Sequence, residues 1–441
     1  MMSLMENRSK TGGEIGLVLT EWAKATPLTH PVLAGFSFAD EPAADQTARR
    51  LTETGQLTLH QFASGLEIQT SSVVGTIQLG RLSLTVTPKI DTLPLMRLLR
   101  FAYGLRELDT YKLKSLASQK LAFQDLLIYQ LVMEVEELVS RGLLKQYVRK
   151  SENLVSPVGR LDFQKFTSQG GLLGGALPCL YHHRLEDCLH NRFLLSGLRL
   201  AAFLTADLTL RSCASQLIGL LSESIQPIPL NREAVSQVEC ASNRLNETYN
   251  PAIKLITLLM SHSGSGLDED RDPVKQHGFL FDMNRFFQAF ISRLLAKYLE
   301  GYQVKDEHAL KGFLSYIPGF ELPNRQDPLP RPDFALFQNG SLVTLLDAKY
   351  RDLWQEGLPR DMLYQLIVYA LSQSINRQAT ILYPTLHDTA RVSKLQINEP
   401  MMGCAQGAVI LRPVPITHID RLLNERKECE LKSLVTKTVF G

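Results

Sequence analysis

Alternation dominates the first part of the chain. Gln56-Leu-Thr-Leu59, Gly65-Leu-Glu-Ile-Gln-Thr70, Val73-Val-Gly-Thr-Ile-Gln-Leu79 and Leu82-Ser-Leu-Thr-Val-Thr87 largely alternate apolar and polar residues between Gly and Ser positions. That period of two predicts half-buried strands. From about residue 91 the period lengthens: Phe123, Leu127, Leu131, Val135 and Leu138 form a stripe at helical spacing within Leu121 to Leu144, which is the pattern of a helix facing a core. The pattern reads as helical to about 260. Ser261 to Asp272 is polar and glycine-rich with an acidic run, as expected of a linker. Phe279 to Leu299 then predicts a helix with Asp282 or Asn284 as its cap. Two strand-prone runs, Phe334 to Phe337 and Leu342 to Leu346, flank Asn339-Gly340, a strong hairpin signal. Asp361 to Ser372 reads as a helix with Met362, Leu363, Leu366, Ile367 and Ala370 on its apolar side, and Ala379 to Tyr383, Val392 to Ile397 and Gly407 to Leu411 read as strands. The expectation is an α/β multidomain chain: a β-rich amino-terminal module (1–90), a helical middle region (91–265) and an α/β domain of helix, hairpin, helix and strand (270–441).

Composition narrows the class of function. At 441 residues the chain is long enough for two or three domains, and 44% hydrophobic with 21% charged residues is ordinary for a soluble protein. A formal charge of +2 gives no global basic field, so nucleic-acid binding would rest on local patches or on a partner. Six cysteines at 179, 188, 213, 240, 404 and 429 include no C-x-x-C pair, which fits a reducing cytoplasm. No apolar run is long enough for a membrane span or a signal segment. A phosphate-binding G-x-x-x-x-G-K-[ST] loop is also missing, so the chain is not expected to hydrolyse nucleotides itself.

The hairpin carries the candidate chemistry. Asp333 precedes its first strand, and Asp347 and Lys349 end its second. An odd loop centred on Gly340 would set Asp333 across from Asp347, with Cβ atoms about 5 Å apart. A two-residue turn would put them on opposite faces unless a bulge intervenes. Lys349 follows Asp347 by two and shares its face. Two facing carboxylates repel unless a cation sits between them, and Mg²⁺ favours one or two carboxylates with water and substrate phosphate. Asp333 and Asp347 are therefore candidate metal ligands, with the backbone carbonyl of Ala348 completing the set. Lys349 would orient water and stabilise transition-state charge. The plain structural alternative makes Asp333 a turn cap and Asp347 and Lys349 solvated strand ends; against it, Asp347 closes an apolar run where a charge rarely stands without a reason.

Gln365 and Tyr369 are four apart on the predicted helix and share a face, from which they would reach the same site. Between Arg141 and Lys165 six cations, including Arg141, Lys145, Arg149, Lys150 and Arg160, stand against Glu152 and Asp162. This basic run is a candidate contact for DNA phosphates or an acidic partner surface. Cys179, His182, His183, Cys188 and His190 crowd one stretch, but their spacing matches no zinc pattern.

With these residues in view, the chain resembles the McrC family. The resemblance rests on Val74-Gly-Thr-Ile-Gln-Leu-Gly80 with Thr87-Pro-Lys-Ile90, Leu95-Met-Arg-Leu-Leu-Arg-Phe-Ala-Tyr103, Val158-Gly-Arg-Leu-Asp-Phe163, Asp187 with Asn191-Arg192, Phe281-Asp-Met-Asn284, and Pro332-Asp333 with Asp347-Ala-Lys-Tyr350. The hairpin with Gln365 and Tyr369 is similar to RecB-like members of the PD-(D/E)xK nuclease superfamily. The resemblance implies a restriction-endonuclease-like carboxyl-terminal domain and a Mg²⁺-dependent endonuclease that cleaves modified, methylcytosine-containing double-stranded DNA. It also implies a hexameric AAA+ GTPase partner of the McrB type, whose channel receives a projection from the amino-terminal half. Many nucleases of the superfamily carry a Glu ligand on the first core helix, where Gln288 stands here. A non-catalytic adaptor that activates the GTPase is the alternative.

Overall fold

The strands expected from alternation form in the computed structural model, which describes residues 15–106, 122–171, 174–263, 278–317, 319–320, 326–373, 376–401 and 403–441. The amino-terminal strands are β1 (Ile15–Thr20), β2 (Lys24–Ala25), β3 (Leu57–Phe62), β4 (Gly65–Thr70), β5 (Val73–Leu79) and β6 (Leu82–Thr87). A helix that alternation did not reveal, Pro42–Glu53, precedes β3. β7 (Gln146–Leu154), β8 (Arg160–Leu161), β9 (Leu177–Leu185) and β10 (Gly278–Asp282) follow, then β11 (Gln303–Asp306), β12 (Phe334–Gln338), β13 (Ser341–Ala348), β14 (Gln378–Thr385), β15 (Ser393–Asn398) and β16 (Ala405–Pro415). Twelve α-helices stand among the described residues, and none is long and apolar enough to cross a membrane.

Two compact units draw on interleaved stretches of chain. The first holds the described residues of Met1–Gly16, Gly75–Thr85 and Leu121–Leu280; the second holds those of Leu17–Val74, Val86–Lys120 and Phe281–Gly441. In the first, the helix Phe123–Arg141 buries Phe123, Leu127, Leu131, Val135 and Leu138, the stripe expected of it. This unit is not all helical. β7, β9 and β8 form a three-stranded antiparallel sheet, and β7 leaves seven of its nine residues exposed. With no buried face to mark, such a strand has no reason to alternate, which is why its sequence hid it. The expected linker begins inside the helix Asn250–His262, and residues 264–272 lie outside the described residues.

In the second unit a six-stranded sheet has the order β11-β12-β13-β14-β16-β15. β13, β14 and β16 are parallel, with Ala348 beside Leu382 and Leu382 beside Arg412. The helix Met283–Tyr298 follows β10, which occupies the start of the single helix expected from Phe279. Asp282 caps it, its carboxylate accepting from the Asn284 N–H at 2.9 Å. On one face of the sheet, Leu345, Ile381 and Leu411 pack with Leu366, Tyr369 and Ala370 of the helix Arg360–Leu371. This layer sets the position of the candidate site.

Candidate active site

The register of one hairpin assembles the site. Asn339 and Gly340 both have positive φ, 51° and 80°, and Gln338 pairs with Ser341, so the turn has two residues. Such a turn alone would separate the two aspartates. A bulge corrects it: Phe337 pairs with Leu342 but Leu336 pairs with Thr344, leaving Val343 without a partner and bringing Phe334 opposite Leu346. Asp333 and Asp347 stand one step further on. Of the two arrangements open from sequence, the bulge is the one formed, and the odd loop is not.

The two carboxylates have different surroundings. Asp333 is held at both oxygens, one accepting from the Ala348 N–H at 2.7 Å and the other from the Gln288 amide at 3.0 Å. Gln288, on the helix Met283–Tyr298, therefore acts as a donor to a carboxylate. Asp347 is only 2% exposed. One of its oxygens meets the Lys349 ammonium at 3.2 Å, and the other is buried with no hydrogen-bond partner. Burial, and then the charge of Asp333, push the Asp347 carboxyl up to about 6, with Lys349 pulling the other way. Asp333 is also raised, mainly by burial. Both shifts mark a carboxylate pair short of positive charge.

That shortage is the test of fit for a divalent cation. An oxygen without a donor in a buried carboxylate is an acceptor ready for a cation, and the neighbouring carboxylate supplies the second hard ligand. Asp333 and Asp347 fit such an ion. Among the described residues no cluster of three or more His, Cys, Asp or Glu side chains is arranged to hold a metal, so the remaining ligands would be backbone, water or substrate. The crowded Cys179, His182, His183, Cys188 and His190 form no such cluster, and His190 instead meets the Asn246 amide at 3.0 Å.

Gln365 and Tyr369 do share a face, and their amide and hydroxyl are joined at 2.7 Å. The Tyr369 hydroxyl donates to the Arg331 carbonyl at 2.9 Å, which ties the helix to the backbone two residues before Asp333. Burial raises Tyr369 to about 12, and the charges of Asp347 and Asp333 push the same way. Glu307 was not foreseen. Its N–H donates to the Asp333 carbonyl at 2.8 Å and its carboxylate adds to the negative field at Asp333. Glu307 has φ +48°, a conformation few side chains adopt. No signal links it to Asp333 in sequence, because only the pairing of β11 with β12 brings them together.

The basic run belongs to the first unit. Arg141 pairs with Glu137, Lys145 with Glu186 at 3.0 Å and Lys150 with Glu152 at 3.5 Å. Arg149 and Arg160 are exposed on β7 and β8.

Residues 68–384 match the family described as the McrBC 5-methylcytosine restriction system component. The chain belongs to that family. Among solved structures, it is similar to a chain of the refined half-complex from a tetradecameric assembly of Thermococcus gammatolerans McrB AAA+ hexamers with bound McrC, at 20% identity and a TM-score of 0.62, covering 93% of this chain and all of that one. The cryo-EM structure of the Thermococcus gammatolerans McrBC complex holds a second similar chain, at 22% identity, TM-score 0.48, and 66% and 89% coverage. The first likeness shows a shared fold. Comparison with curated proteins gave no match.

Several residues that carry the McrC resemblance are structural. Asn284 bonds the Ser72 hydroxyl while the Met283 N–H donates to the Ser72 carbonyl. Gly75 has φ +134°, and a Cβ there would lie 2.1 Å from the Phe279 carbonyl oxygen, so only glycine fits. Arg192 makes a two-pronged pair with Asp187, and the Asn191 amide donates to the carbonyls of Leu144 and Glu186. These contacts fix backbone joints. The Asp333, Asp347 and Lys349 group instead keeps a buried carboxylate oxygen without a donor.

Proposed function

We propose that the chain is the nuclease subunit of a McrBC-type restriction system: a Mg²⁺-dependent endodeoxyribonuclease of the PD-(D/E)xK kind that cleaves methylcytosine-containing DNA in the cytoplasm and stimulates an AAA+ GTPase partner. The observation that carries this reading is the buried Asp347 oxygen left without a donor beside Asp333 and Lys349. Structural carboxylates of a strand end would be solvated or fully paired.

Each residue has a part that follows from its contacts. Asp333 and Asp347, with the Ala348 carbonyl, would hold the ion. Bound there, Mg²⁺ supplies Lewis acidity toward a phosphoryl oxygen and makes water more acidic. Gln288 and the Ala348 N–H fix the orientation of Asp333 before substrate arrives. Lys349 is partly exposed beside Asp347, and its charge stabilises the phosphate as negative charge grows and aligns the attacking water. Gln365 and Tyr369 act on the strand that carries Asp333, through the Arg331 carbonyl. They are positioning residues.

The partner follows from family membership and from the McrB hexamers that accompany the structural relative. Exposure of Tyr147, Val148 and Phe163 around β7 and β8 supports a protein-binding role there. The test is cleavage of methylated plasmid by the chain with its cognate GTPase, GTP and Mg²⁺. Asp333→Ala, Asp347→Ala and Lys349→Ala should each lower cleavage by about a hundredfold or more, since each loss costs roughly 3 kcal/mol of transition-state stabilisation. They should leave GTPase stimulation intact. Near wild-type cleavage by any of the three would remove the assignment, and stimulation without cleavage by the wild type would leave an adaptor.

A further inference from the structure

A cavity of about 750 Å³ opens at the carboxyl ends of β14 and β16, beside the helices Ile416–Asn424 and Glu428–Phe440. Its lining is strongly cationic. Arg391, Arg412, Arg421 and Lys437 stand against one carboxylate, Asp388, a balance of +4 and −1, or +3. None of the four cations takes part in an ion pair among the described residues.

Arg412 is the decisive residue. It is 5% exposed, and its Nε has no hydrogen-bond partner. Burial depresses its basicity, and no acid offsets the effect. A buried guanidinium without a counter-charge costs several kcal/mol, and a bound anion would recover that cost. Parallel register gives its direction. Arg412 lies in one row with Leu382 and Ala348, whereas Asp347 lies in the next row with Ile381 and Leu411, which faces the helix Arg360–Leu371. Adjacent rows point to opposite faces. The Arg412 side chain thus points to the face opposite the carboxylate pair, about 10 Å away across two strand spacings.

We propose that this cavity binds a phosphate group, with Arg412 as buried anchor and Arg391, Arg421 and Lys437 as the surrounding cations. A planar guanidinium meets a phosphate with two parallel hydrogen bonds, and an excess of three charges suits a multivalent anion. The volume is that of a small-molecule site and admits a nucleotide or the end of a nucleic-acid strand. Open carboxyl ends of parallel strands are a common place for such ligands.

The test is calorimetric titration of the full chain without divalent metal, at ionic strength fixed with chloride, so that it does not depend on cleavage. Pyrophosphate, a deoxynucleoside monophosphate and an oligonucleotide with or without a 5′-phosphate are the probes. At least one should bind saturably, and Arg412→Met should weaken it tenfold or more while the far-ultraviolet spectrum stays unchanged. The oligonucleotide arms identify the source: tighter binding that requires the 5′-phosphate points to a strand end, and equal binding of the monophosphate points to a free nucleotide. Arg391→Gln with Lys437→Gln, both exposed, provides a second variant should Arg412→Met fail to fold. It should weaken the same probe. No saturable binding by any probe, or binding unchanged in the folded variants, overturns the proposal.

Discussion

Two carboxylates one strand spacing apart raise each other's proton affinity, and the chain relieves this only in part. Asp333 receives two donors, whereas Asp347 receives one ammonium and keeps a bare oxygen. A comparable case stands nearby in Glu21, which is 1% exposed and raised to about 7 by burial, against the hydrogen bonds of Lys89 and Tyr350. Between pH 4.5 and 7 folded Glu21 keeps a proton that the unfolded chain has released. Stability contributed by that proton is therefore full below the lower value and lost as pH rises through the window, by roughly 3 kcal/mol at most. Asp347, raised to about 6, adds in the same direction. The metal-free chain should accordingly unfold at lower urea concentration at pH 8 than at pH 5, and Glu21→Gln should narrow that gap. Equal gaps in the two proteins would show that Glu21 is already ionised when folded. Asp347 and Lys349 were legible in sequence because period-2 spacing fixes a shared face. The donor role of Gln288 was not, because whether an amide gives its N–H or its oxygen depends on how a helix approaches a strand 45 residues away.

At the scale of elements, one bulge takes up an extra residue and so brings the two aspartates into register. Asn339-Gly340 announced the hairpin, since a two-residue turn needs both positions at positive φ. The bulge had no such signature. Val343 is an ordinary β-branched residue, and only the pairing of Leu336 with Thr344 reveals the extra position. Deleting Val343 would take out the extra position and give regular pairing from the turn, with Leu336 still opposite Thr344 and Asp333 still opposite Asp347. The expected outcome is that the hairpin and cleavage are both kept, since the deletion removes only the residue that has no partner in the ladder. Gly340→Ala is the milder control: it should cost about 1 kcal/mol through its φ of 80° and leave cleavage in place. Loss of cleavage by the folded deletion variant would mean that register alone does not position the aspartates. The exposed strands β7 and β8 were illegible for the opposite reason, having too little buried surface to leave a period. The cationic cavity was hidden because its lining gathers from residues 385 to 438 across several elements.

At the scale of the whole molecule, charge is local. A formal +2 over 441 residues steers nothing by itself, and the basic run is partly neutralised within its own unit by Glu137, Glu186 and Glu152. Surface ion pairs of this kind contribute little to stability, but they occupy the cations a partner would need. Arg149 and Arg160 are not so engaged, and they share the exposed sheet with Tyr147, which is 59% exposed. If this sheet is the contact for the GTPase, these residues should dominate. With no phosphate loop in its sequence, the chain alone should hydrolyse negligible GTP, yet it should raise the rate of the cognate motor. Arg149→Ala combined with Arg160→Ala should lower that stimulation several-fold, whereas Lys145→Ala combined with Lys150→Ala should have a small effect, since each of those lysines already has an acidic neighbour. Steady-state GTPase rates at matched subunit concentrations read the difference. Equal effects of the two pairs would point to a diffuse electrostatic attraction, and no effect of either would move the contact away from β7, β8 and β9.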